Sequence, residues 1–182
     1  MVVECTGVSA SPVSAPIRPN QLRSAPSLRH LTLRSCSLQG VPAGALSGLS
    51  GLSSLAVERG EEGAVGDLQP FTFGLRSDTL AGLTGLRNLD LSGNGFPELP
   101  RDLYCPTSNL RVLNLSSNGL EAVTAAGLTC PLLQLEILDL SFNQLTALLP
   151  GDLAAAPSLQ QLYLQVGSTK DLNSSIQSQI IT

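Results

Sequence analysis

The chain has 182 residues and a formal net charge of −4, with 42% hydrophobic residues, 3% aromatics and no tryptophan, and its pI is near 4.8. That length and apolar content suffice for one domain with a core. The acidic balance, with Lys and Arg scattered singly, argues against nucleic acid or an anionic membrane as a partner, since both require clustered positive charge. With so few aromatics, the core must come from leucine, about one residue in five, used repeatedly.

In chain order, residues 2 to 5 (VVEC) read as a capping strand, and a Ser-, Pro- and Ala-rich stretch through Pro26 reads as irregular. The start lacks the basic flank and apolar stretch of a signal peptide, and no apolar run reaches the roughly eighteen residues of a membrane span. From Leu28 onward the pattern L-x-x-L-x-L-x-x-N/C-x-L recurs, with copies starting at Leu28, Leu52, Leu86, Leu110, Leu135 and Leu159. The intervals are 24, 34, 24, 25 and 24 residues, so only the second copy is expanded.

Each copy places alternate leucines on the inner side of a short strand and the intervening residues outside, and the next coil stacks alongside. The expected architecture is an α/β leucine-rich-repeat solenoid of about six coils over residues 28–166. A curved parallel sheet forms its concave face, with turns and short helical pieces on the convex face. Asn94, Asn118 and Asn143 occupy the turning position, where a buried amide can satisfy backbone groups left unpaired by the bend; Cys36 and Gly60 replace it in the first two copies. Residues 1–27 form an N-terminal segment, and 167–182 form a non-repeat, disordered tail. That tail leaves the last coil uncapped and open to self-association.

Catalytic chemistry finds no foothold. The single histidine, His30, lies in the first repeat strand without a nucleophile motif beside it, and no phosphate loop or metal-binding string occurs. Neither enzyme activity nor a cofactor or metal is expected.

The repeats instead create a surface. The outward strand positions align in columns: Thr32, Ala56, Asp90, Asn114, Asp139 and Tyr163 at the centre, with His30, Ser54, Asn88, Val112, Ile137 and Gln161 on one flank. The other flank carries Arg34, Glu58, Ser92, Ser116, Ser141 and Gln165. Arg34, Glu58, Asp90, Val112, Ile137, Asp139 and Tyr163 are the candidate ligand contacts, with the bland alternative that Asp or Asn followed by Leu-Ser is the repeat's own structural chemistry.

Two glycosylation sequons begin at Asn114 and Asn173; a glycan at the first would fill part of the concave groove. Cys105 and Cys130 occupy nearly equivalent places on consecutive coils, so they are either a disulfide staple on the convex side or two separate thiols.

Three segments carry a more specific resemblance. They are the first coil LRHLTLRSCSLQGVPAGALSGL, the expanded second coil running through ERGEEGAVGDLQPFTFGLRSDTLAGL, and LRNLDLSGNGFPELPRDLYCPTSNLRVLNLSSNGLEAV with its Cys105-Pro106 step. Together they resemble the N-terminal part of the ectodomain of arthropod Toll receptors, the long type related to Tollo and 18-wheeler, over about residues 28 to 165. The resemblance implies a single-pass cell-surface receptor of innate immunity or development, with extracellular protein partners and a cytoplasmic signalling domain. This chain lacks that family's signal peptide, most repeats, cysteine cap, membrane span and signalling domain, and so reads as a fragment. The expected function is extracellular ligand recognition by protein–protein contact; the alternative is an intracellular leucine-rich-repeat scaffold or enzyme regulator.

Overall fold

The computed structural model describes residues 1–4, 27–34, 44, 46–58 and 75–165. Cys36, Gly60, the expanded part of the second coil and Asn173 with its tail lie outside the described residues. Seven strands form one sheet in sequence order: β1 (Val2–Glu4), β2 (His30–Arg34), β3 (Ser54–Glu58), β4 (Asn88–Asp90), β5 (Val112–Asn114), β6 (Ile137–Asp139) and β7 (Gln161–Tyr163). Every neighbouring pair is parallel. At a strand spacing of about 4.8 Å, six gaps give a sheet about 29 Å wide.

Six of the strands are the six repeat copies. The seventh, β1, comes from the extreme N-terminus and lies beside β2, with the Met1 amino group donating to the His30 carbonyl at 3.0 Å.

Alternation within each strand separates the faces. Leu31, Leu33, Leu55, Val57, Leu89, Leu113, Leu138 and Leu162 are buried, while the residues between and beside them line the opposite side. The leading leucine of each motif forms a second inner layer: Leu52, Leu86, Leu110 and Leu135 are fully buried, whereas Leu28 and Leu159 in the outermost copies are only partly so. A coil's apolar side chains are covered by the coils on either side of it, so central coils bury more.

The helical half of the expected architecture is slight among the described residues. It is one four-residue 3-10 helix, Val123–Ala126, and a succession of i to i+3 turns such as Leu46–Leu49–Leu52, Leu80–Leu83–Leu86 and Tyr104–Thr107–Leu110. An α-helix with its side chains is about 10 Å across, twice the strand spacing, and would force the convex side to fan out; turns occupy less width. Gly127, which ends the 3-10 helix at φ 73°, shows how tight this side is. A Cβ there would sit 2.6 Å from the Pro100 carbonyl oxygen of the preceding coil.

The coils are tied by polar groups in the core. Asn118 Oδ1 accepts from the backbone N–H groups of Asn94 (3.2 Å) and Phe96 (3.1 Å), while its Nδ2 donates to the carbonyls of Leu91 (3.0 Å) and Leu115 (2.9 Å). Asn143 repeats the arrangement one coil on, accepting from Leu120 N–H at 3.1 Å and donating to Leu115 and Leu140. Asn94 Nδ2 reaches back to the Val57 carbonyl at 2.8 Å, whereas its Oδ1 is buried without a partner among the described residues. Each amide thus closes its own turn and grips the previous one.

Replacing Asn118 by alanine removes the amide acceptor of the Asn94 and Phe96 N–H groups and the amide donor to the Leu91 carbonyl, while the Leu115 carbonyl keeps its bond from Asn143; each buried group left unsatisfied costs about 1–3 kcal/mol. Asn118→Ala is therefore expected to lose about 3 kcal/mol or more of stability in urea unfolding; a loss below about 1 kcal/mol would show the ladder to be incidental.

Candidate functional site

The strand register brings the predicted columns together. Thr32, Ala56, Asp90, Asn114, Asp139 and Tyr163 are successive direct partners across β2 to β7, as are His30, Ser54, Asn88, Val112, Ile137 and Gln161. Of the third column, Arg34 and Glu58 are strand partners; the serines that follow lie just past the shorter strands.

Those serines explain much of the central column. Asp90 Oδ1 accepts from both the backbone N–H and the hydroxyl of Ser92, at 2.9 and 2.7 Å. Asn114 does the same with Ser116, at 3.0 and 2.7 Å, and Asp139 with Ser141, at 2.9 and 2.5 Å. One side-chain oxygen of each therefore closes the strand end, an intrinsic device of the repeat. The other terminal atom, a carboxylate oxygen on Asp90 and Asp139 and an amide nitrogen on Asn114, has no hydrogen-bond partner among the described residues. The Asn114 nitrogen is the atom to which a glycan would attach.

The remaining candidates divide by position. Arg34 and Glu58 form an ion pair at 2.7 Å with both side chains about half exposed, an arrangement worth at most about 1 kcal/mol. Val112 and Ile137 are adjacent, half-buried apolar residues. Tyr163 is 49% exposed, and its hydroxyl donates to Gln161 Oε1 at 2.9 Å, fixing the ring along the strand beside the Ile137 column.

One residue of this surface escaped sequence reasoning. Phe142 follows Ser141 at the rim, is 50% exposed, and has φ 56° in the left-handed region. The equivalent places in the two preceding coils hold Gly93 (φ 68°) and Ser117 (φ 56°). The available signal was the residue before each turning Asn, where LSGN and LSSN become LSFN.

On the convex side Cys105 and Cys130 are joined as a disulfide with a Cα–Cα separation of 5.2 Å. The Asp102 carboxylate approaches Cys105, but with both sulfurs bonded to each other the trio cannot chelate a metal. Tyr104, next to Cys105 in the chain, is fully buried with no hydroxyl partner among the described residues, and burial pushes its ionisation far up. It is a packing residue and offers no reactive group.

Family models described as leucine-rich repeats match residues 108–166 and, in a second model, residues 27–49 and 85–105. Together these span more than half of the chain, which belongs to the leucine-rich-repeat family. Toll-like receptor 7 of Drosophila melanogaster is 37% identical over 102 residues, which make up 55% of this chain and 7% of that receptor. A crystal structure of a TLR13–ssRNA13 complex matches with a TM-score of 0.58 at 24% identity, covering 81% of this chain and 23% of that one. The chain is thus a leucine-rich-repeat region similar in sequence to part of a Toll-like receptor, and it spans a small fraction of its relatives' length.

The staple closes a sequence separation of 25 residues. Loop-closure entropy for such a ring gives about 3.5 kcal/mol. Cys105→Ser with Cys130→Ser is expected to lower stability by up to that amount, read as an earlier urea midpoint; an unchanged midpoint after reduction would show the crosslink to be dispensable.

Proposed function

We propose that this chain is part of the extracellular recognition region of a Toll-type cell-surface receptor and binds another protein through its concave sheet, in innate immune or developmental signalling. The observation that carries this is the continuous column of outward side chains set on a sheet in strict register, in which Asp90, Asn114 and Asp139 each keep a second polar atom without a partner among the described residues. A rigid parallel sheet holds such groups in place at little entropic cost on binding. The resemblance to a Toll-like receptor supplies the class of protein, and the Cys105–Cys130 crosslink suits an oxidising compartment. Among the described residues no helix is long and apolar enough to cross a membrane.

The TLR13 neighbour is described in complex with a single-stranded RNA. Here the centre of the face carries Asp90 and Asp139, and Arg34 is neutralised by Glu58. A polyphosphate chain needs several cations tracking its backbone, so a protein partner fits this face better.

Asp90→Asn and Asp139→Asn each complete an Asn-Leu-Ser sequon on the concave strand while keeping the serine-bonded oxygen. Secreted from an animal cell, the doubly substituted chain should carry glycans across the groove. Extracellular proteins captured from conditioned medium by the parent chain should be lost by this one. Retention of the same partners by the glycan-filled chain would exclude the concave face, and tight binding of a single-stranded RNA oligonucleotide at about 0.15 M salt would favour the nucleic-acid reading instead.

A further inference from the structure

Building on that concave-face reading, we infer that the contact region is the β5–β7 end of the face, and that its partner presents a cationic side chain, arginine above all, flanked by aliphatic residues.

The chain has six aromatic residues, two Tyr and four Phe. Of the four within the described residues, Tyr104 and Phe96 are buried, whereas Phe142 and Tyr163 are half exposed on adjacent coils. Their coils are directly bonded there: Leu140 N–H donates to the Tyr163 carbonyl at 2.9 Å and Phe142 N–H to that of Gln165. Phe142 also holds a left-handed backbone conformation that a bulky residue adopts only at a cost, where the preceding coils use glycine and serine. Neither ring contributes to the buried core, so the fold itself gains little from either.

The neighbouring groups set the ligand chemistry. Asp139 lies next to Tyr163 in the central column, with one carboxylate oxygen spent on Ser141 and the other without a partner among the described residues. Asp90 stands two strands away, about 9.6 Å at ordinary strand spacing, and Asn114 between them adds no charge. Val112 and Ile137 supply an apolar strip on the other flank of the same strands, across the central column from Phe142. A guanidinium can pair with the Asp139 carboxylate while lying against an aromatic face, an arrangement an ammonium or an uncharged group matches poorly. Aliphatic neighbours then cover Val112 and Ile137. At the β2–β3 end, by contrast, Arg34 and Glu58 satisfy each other.

The repeat provides substitutions that the fold already tolerates elsewhere. Asp139→Asn reproduces Asn114, Phe142→Ser reproduces Ser117 and Tyr163→Thr reproduces Thr32. The chain would be made in a bacterial periplasm, where the disulfide forms and no eukaryotic-type glycan is added to the new sequon, and used to select from a displayed library of random peptides. Selected peptides should carry arginine beside aliphatic residues. Their affinity, measured by fluorescence anisotropy, should fall at least tenfold with Tyr163→Thr, at least fivefold with Asp139→Asn and several-fold with Phe142→Ser. Arg101→Gln, at an exposed position outside the three concave columns, should leave it unchanged.

Selection of acidic or uncharged peptides, failure to select any peptide, or affinities indifferent to the three substitutions would overturn the inference. Binding that is instead lost with Arg34→Gln or Glu58→Gln would leave concave-face recognition standing and remove only this assignment. Binding indifferent to every concave substitution would remove both.

Discussion

A chain that returns to the same place every 24 or so residues must turn sharply each time, and a sharp turn strips backbone groups of their partners inside the core. The buried asparagine amide resolves that conflict. In the preceding turn Asn118 Oδ1 accepts from two N–H groups and Asn143 Oδ1 from one, and each amide nitrogen donates to carbonyls of its own coil and the one before. A leucine could fill the same volume but would leave those groups unpaired. Because each of these amides bonds across to the preceding coil as well as within its own, the ladder also fixes the coils' relative height. That height sets the strand register, and the register aligns the concave columns.

Leucines supply the cohesive energy within that frame. Two inner layers, one from the strand leucines and one from the leading leucine of each motif, continue into the convex turns through Leu46, Leu49, Leu80, Leu83, Leu103 and Leu132. The convex side stays narrow because it is built from turns, from a glycine at the close approach of Gly127 to Pro100, and from a crosslink between consecutive coils. A stiff, closely stacked support of this kind suits a recognition surface, since contact groups held by the scaffold lose little freedom on binding.

The repeat was legible because periodic leucines have no other efficient burial, and the outward columns followed from strand alternation alone. What the sequence could not weigh was how far each outward residue serves the fold. Asp90 and Asp139 stand in the sequence as ligand contacts and Asn114 as a glycan site, with the repeat's own chemistry as the alternative; the structure shows that each spends one oxygen on the serine two residues on. Arg34 and Glu58 look like two independent charges until the register makes them partners. Phe142 went unnoticed because its place in the motif carries no apolar requirement; its exposure and left-handed backbone give it interest. The pairing of Cys105 with Cys130 was open in the sequence because equal spacing in two coils fixes proximity without fixing a bond.

The central claim is that side-chain amides, acting as backbone partners, hold neighbouring coils in register. Amide hydrogen exchange at residues 94, 96 and 120 tests it most directly, since these N–H groups donate to Asn118 and Asn143 rather than to another strand. The account predicts exchange as slow as that of the strand amides of Leu113 and Leu138. Rapid exchange at these three positions, with the strands still protected, would contradict it.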